Sequence, residues 1–175
     1  MKTALVVIDH QRGMFDMLGH QPFDGDGVTD RIARLIAKAR AANALVFYVQ
    51  HDGGPGDEFH PGKPGFPFVD TVAPLPGDDV TVKTKSSAFH NTDFDAKLKR
   101  AGIDHLVITG MQSEYCVTSA IRGAYERGYK ITLTADAHST FDSKVAKGGD
   151  IVAIVNDTTR GSFGDVVPAA KIEFA

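Results

Sequence analysis

The feature that most constrains this chain is a run of apolar, largely β-branched residues that closes on a carboxylate. Thr3 to Asp9 reads TALVVID, with nothing polar between its two ends. A strand with one wet face alternates apolar and polar side chains, whereas a continuous run has both faces covered, as in a parallel sheet. Ala44 to Gln50 (ALVFYVQ), His105 to Thr109 (HLVIT) and Tyr129 to Asp136 (YKITLTAD) repeat the pattern, and Val80-Thr81-Val82 adds a shorter piece before Lys83. Segments of helical period lie between these runs. Val28 to Asn43 carries Ile32, Leu35, Ile36 and Ala39 on one face, with Asp30 near its positive end. Thr92 to Ala101 opens with Thr92-x-x-Asp95, close to a capping box, and stops at Gly102; Cys116 to Arg127 follows a turn and ends at Gly128. Strands alternating with helices define an α/β protein.

A chain of 175 residues, 42% hydrophobic and 23% charged, predicts one domain over 1–175 and excludes a disordered chain or a small disulfide scaffold. The net charge is −3 and no Lys/Arg-rich run stands out, so no nucleic acid is expected, and a small molecule is the expected partner. The first apolar stretch, Ala4 to Ile8, is too short for a signal segment or a membrane span, which predicts no membrane partner and a cytoplasmic location. Between the second and third strands, Asp52 to Asp79 is rich in Gly and Pro (GGPG, HPGKPG, PLPGDD), a length and composition of lids or of disordered segments. Met14 to Gly27, with Phe15, Leu18 and Phe23, reads as a lid or a satellite core.

Several motifs fail on inspection. Gly53-Gly54-Pro55-Gly56 has the wrong order for a dinucleotide loop, Gly62-Lys63 lacks the rest of a P-loop, and Asp24-Gly25-Asp26-Gly27 breaks the calcium-loop spacing. His51, Asp52 and His60 have the chemistry of metal ligands but no spacing that fixes them, so neither metal nor cofactor is assigned.

Ligands of open α/β sheets bind beyond the carboxyl ends of the strands. The polar residues there are Asp9, His10 and Gln11 after strand one, Lys83 after strand three, Gly110 to Cys116 after strand four, and Asp136 and His138 after strand five. Cys116 is the chain's single cysteine, which excludes an internal disulfide. With Ser113 read as an N-cap, Cys116 takes the third helical position, where the helix dipole favours thiolate. Free N–H groups of such a strand-turn-helix can also hold an oxyanion. A thiol, a carboxylate and an ammonium at one cleft allow Asp9 to take the thiol proton and Lys83 to hold the resulting charge; His10 and His138 are rival bases.

The ordered set Leu5-Val6-Val7-Ile8-Asp9-His10-Gln11, Val82-Lys83-Thr84-Lys85-Ser86-Ser87-Ala88-Phe89, Gly102-Ile103, Leu106-Val107-Ile108-x-Gly110, Glu114-Tyr115-Cys116-Val117, Gly128-Tyr129 and Asp136-Ala137 resembles the isochorismatase-like cysteine hydrolases. The resemblance implies a doubly wound (Rossmann-like), mainly parallel sheet with helices on both faces. It also implies a catalytic triad of Asp9, Lys83 and Cys116, with Lys85 the near rival to Lys83. It places a cis peptide at Met111-Gln112, an oxyanion hole at the N–H groups of Gln112 and Cys116, and pocket walls at Gln11, Phe15, Phe89, Gln112 and Tyr115. Family members commonly assemble as dimers or tetramers, so a homo-oligomer is expected. The metal pair of the nicotinamidase branch is missing from Gln50-His51-Asp52, and the isochorismatase branch lacks the nucleophile present here. The expectation is therefore a cysteine amidohydrolase acting on a small carboxamide, ureido or carbamoyl compound. The alternatives are a non-catalytic binding protein with an inert thiol and a vinyl-ether hydrolase.

Overall fold

In a computed structural model that describes residues 1–16, 19 and 21–174, the apolar runs form one six-stranded parallel sheet. Its strands are β1 (Thr3–Ile8), β2 (Leu45–His51), β3 (Asp79–Lys83), β4 (His105–Met111), β5 (Lys130–Ser139) and β6 (Asp165–Val167), in the order β3-β2-β1-β4-β5-β6. The strands are added outward in opposite directions on either side of the parallel β1/β4 pair, and this switch opens a crevice above their carboxyl ends. Leu18 lies outside the described residues.

Helices cover both faces. One layer packs Ala4, Val6, Ile8, Phe47, Val49 and Ile108 against α3 (Phe94–Arg100) and α4 (Thr118–Glu126). The other packs Leu5, Val7, Tyr48 and Val107 against Ile32, Leu35 and Ile36 of α2 (Gly25–Ala41). Successive strand residues supply opposite layers, which is why β1 had to be apolar throughout. Short α1 (Gly13–Asp16) follows β1 and places Met14 against Met111 and Phe141, with Phe15 packed beside them. Among the described residues, no helix is long and apolar enough to cross a membrane.

The elements differ from the sequence expectation mainly after β4. Strands β4 and β5 run past Thr109 and Asp136, because their ends are buried under the crevice and still pair there. The pairing jumps from Ile108 opposite Leu133 to Gly110 opposite His138, so β5 accommodates extra residues and carries His138 to the rim. The segment expected to be helical from Cys116 begins as a π-helix over Ser113–Val117 and becomes α4 only at Thr118. Helix α5 (Gly148–Ser162) and β6 had no counterpart in the sequence reading. With Gly at its start and only Val152, Val155 and Thr159 buried beyond it, α5 has too thin an apolar stripe to be seen by period.

At one point the sheet tolerates only glycine. Gly110 has φ 114° and lies beside Ile8, where an added Cβ would come 2.0 Å from the Ile8 carbonyl oxygen. Gly110→Ala is therefore expected to cost about 4 kcal/mol or more. Gly161, inside α5 with open space around it, is the contrast: Gly161→Ala is expected to gain roughly 0.5–1 kcal/mol. Urea unfolding of the two variants checks both signs.

Candidate active site

Asp9 leaves β1 with φ 46°, a turn that drops its side chain into the crevice while its N–H bonds to the Val49 carbonyl at 2.9 Å. Lys83 ends β3 on the face that carries Thr81, and its side chain is fully buried. Its Nζ donates to Asp9 Oδ2 at 2.7 Å and lies 3.3 Å from Cys116 Sγ. Lys85, the rival, is exposed after the chain bends away. Three strand ends thus bring Asp9, Lys83 and Cys116 into mutual contact.

Burial decides the electrostatics. It pushes the Asp9 carboxyl up from its usual range, against the lowering effect of Lys83. It likewise pushes the Cys116 thiol up to about 12, with the Asp9 anion adding to the rise and Lys83 opposing it. Burial therefore acts against the expected stabilisation of thiolate by a helix dipole. The π-helix also lacks the assumed cap. Gln112 occupies that position with no side-chain cap, and the Ser113 hydroxyl bonds instead to His138 Nδ1 at 2.8 Å. A buried imidazole needs a partner more than a helix end near solvent does.

That bond belongs to a chain of fixed proton positions. Asn156 Nδ2 donates to the Ala135 carbonyl, so its Oδ1 accepts from His138 Nε2, and His138 Nδ1 accepts from Ser113. His138 consequently braces the turn that carries Cys116, with both ring nitrogens committed to Ser113 and Asn156. His10 is also diverted: Thr29 donates to the Gly25 carbonyl and so accepts from His10 Nε2 at 2.8 Å, and burial lowers this histidine to about 4. Asp136 receives the Ala169 N–H on its carboxylate and faces Arg31, away from the crevice.

The remaining site residues divide. The peptide between Met111 and Gln112 is cis, and the Gln112 carbonyl accepts the N–H groups of Tyr115 and Val117, tying the turn that carries Cys116. Gln112 Nε2 points toward Met14 Sδ at 3.8 Å, and Tyr115 is 58% exposed beside Cys116. Phe15 sits with its ring 4.9 Å from that of His10. Phe89 is a correction: it is buried against Phe94, Tyr129 and Gly123, because a glycine on α4 leaves room for its ring in the core. Gln11 is held by the backbone: its amide bonds the N–H and C=O of His51 and the Phe66 carbonyl, so it clamps the long loop and both of its N–H groups are committed there.

His51 is the residue that sequence reasoning weighed only as a metal ligand. Its position opposite Lys83 in the sheet register was the available signal. His60 pairs with Asp52 at 2.9 Å in the loop, and among the described residues no group of three or more His, Cys, Asp or Glu side chains is arranged for a metal ion.

Comparison with known proteins gives this geometry a context. The sequence model of the isochorismatase domain matches residues 3–150. A streptothricin hydrolase of Streptomyces noursei is 38% identical over 82% of this chain, which spans only 51% of that protein's length. A ureidoacrylate amidohydrolase of Methylorubrum extorquens is 33% identical over 77% of this chain and 68% of its own. Among solved structures, a cysteine hydrolase from Pseudomonas syringae pv. phaseolicola superposes with a TM-score of 0.89 at 25% identity, covering 97% of this chain and 90% of that one. An N-carbamoylsarcosine amidase from Thermoplasma acidophilum gives a TM-score of 0.83 at 25% identity, covering 99% of both chains.

The thiol's environment makes a prediction with a definite sign. Alkylation of Cys116 by iodoacetamide is expected to titrate well above the ordinary thiol range near about 8.5. Asp9→Asn removes the neighbouring anion and keeps the Lys83 cation, so the apparent pKa should fall below that of the unaltered protein. A rise in the variant, measured from the pH profile of the alkylation rate, contradicts the arrangement.

Proposed function

The chain belongs to the isochorismatase family of hydrolases, and from that premise we propose that it is a cysteine amidohydrolase of a small carboxamide, ureido or carbamoyl compound. One observation carries the reading: a fully buried lysine touches both a carboxylate oxygen at 2.7 Å and the only thiol at 3.3 Å. Among the family's relatives, the ureidoacrylate amidohydrolase and the N-carbamoylsarcosine amidase both cleave bonds of this class by name.

The chemistry follows from the proton positions. Lys83 engages Asp9 Oδ2, and Asp9 Oδ1 has no hydrogen-bond partner among the described residues. Oδ1, made more basic by burial, takes the thiol proton as sulfur attacks the carbonyl carbon. The S–C bond forms and the carbonyl electron pair moves onto oxygen, which receives the N–H groups of Gln112 and Cys116. When the tetrahedral species collapses, the C–N bond breaks and Asp9 returns the proton to the departing nitrogen. Water then attacks the thioester, giving its proton to Asp9, and the acid is released as sulfur recovers a proton. Generating thiolate only during attack fits a thiol whose pKa burial raises. Lys83 stabilises the anionic partner at each stage, first carboxylate and then thiolate.

The same resting thiol favours a second reading, a binding protein of this fold whose sulfur is inert. A screen for ammonia release on N-carbamoyl amino acids, ureidoacrylate and simple carboxamides separates the two. We expect turnover that falls by about a thousandfold or more in Cys116→Ala and comparably in Asp9→Asn. Pyruvate release without ammonia would instead support vinyl-ether hydrolysis, and undiminished turnover in Cys116→Ala would overturn the proposal.

A further inference from the structure

β2 places Phe47 and Val49 in the layer beneath α4, so His51, two residues further, extends the same row to the rim of the crevice. Its partner across the sheet is Lys83, whose ammonium touches Cys116. The histidine is held with unusual completeness. Fully buried Gln11 accepts its N–H at 2.8 Å and donates to its carbonyl at 3.0 Å, while the Phe59 ring lies 6.4 Å from the imidazole. Yet Nδ1, buried, has no hydrogen-bond partner among the described residues.

A buried ring nitrogen without a partner is a loss that folded proteins rarely leave uncorrected, and beside a candidate nucleophile the missing partner is a ligand group. Burial and the Lys83 cation both lower the pKa of this imidazole, so it is neutral at neutral pH. A neutral imidazole carries one N–H and one lone pair. With no protein partner on Nδ1, the tautomer that keeps the lone pair there is the one able to accept from an incoming N–H.

We propose that His51 is a specificity-determining residue whose Nδ1 accepts a hydrogen bond from an N–H flanking the scissile carbonyl of the substrate. This rests on the amidohydrolase reading and narrows it. Carboxamides and ureides, which offer that N–H, are taken; an ester of the same shape would set an oxygen lone pair against the Nδ1 lone pair and is disfavoured. A site built to hydrogen-bond an N–H discriminates most strongly against analogues that lack it, because its own polar group is then left unpaired.

The test compares amide with ester turnover in the full chain. The amide is whichever of N-carbamoylglycine, ureidoacrylate and p-nitroacetanilide the unaltered protein hydrolyses fastest; the ester is p-nitrophenyl acetate. His51→Asn puts an amide oxygen near the Nδ1 position, while His51→Gln moves the polar group out toward Nε2 and His51→Leu removes it. We expect the amide-to-ester ratio of kcat/KM to fall about 10- to 100-fold in His51→Leu and His51→Gln and to stay within about threefold in His51→Asn. Because the measure is a ratio, a loss of folded protein cancels. A ratio unchanged in all three variants, or lowered equally in all, overturns the assignment. If the unaltered protein hydrolyses none of the amides in a Cys116-dependent way, the amidohydrolase reading fails first and the assignment with it.

Discussion

Everything at the crevice depends on an ion pair that water does not reach. Lys83 and Asp9 lose nearly all hydration, and each is tolerable only because the other is 2.7 Å away. Removing one partner of such a pair typically costs about 3–5 kcal/mol, since the survivor is left charged and dry. The pair therefore constrains the fold as well as the chemistry. It requires β1 and β3, separated by β2, to end at the same height, and it requires a lid of protein above them. Cys116 provides part of that lid, so the thiol belongs to the packing that buries the carboxylate.

The sheet order explains how so few residues reach this point. Only at the β1/β4 switch do helices leave toward opposite faces, and the gap between them is the one place where a strand-end carboxylate can face a strand-end turn. Gly110 then lets β4 pass against the Ile8 carbonyl, which brings the following turn down over Asp9. Beneath it, the Asn156-His138-Ser113 chain of hydrogen bonds ties the turn to β5 and α5. The far part of the chain thus supports the turn that carries Cys116.

The strands and the rim were legible because a simple rule applies to them: a covered strand is apolar throughout, and the polar residue that closes it marks the rim. Asp9 follows directly from that rule, whereas Lys83, preceded by Thr81 in a strand with one exposed face, was singled out by the family resemblance. What escaped it depended on partners distant in sequence. Ser113 resembles a cap until the extra residues in β5 deliver His138 to its hydroxyl. Phe89 resembles a pocket wall until Gly123 is seen to make room for its ring. Gln11 resembles a ligand contact until the loop's backbone is found on its amide. Burial of the thiol, which opposes the helix end, is likewise reported by no local pattern.

The Gln11 clamp has a wider consequence. It grips the long loop through the backbone atoms of His51 and the carbonyl of Phe66, and Gln50 grips that same carbonyl. Main-chain recognition of this kind is indifferent to the side chains it holds. The path of the loop is consequently fixed while its residues are free to change, so descendants of one ancestor can diversify what enters the crevice without rebuilding the frame. The loop is in this sense an interchangeable cassette, fastened at its base by two glutamines.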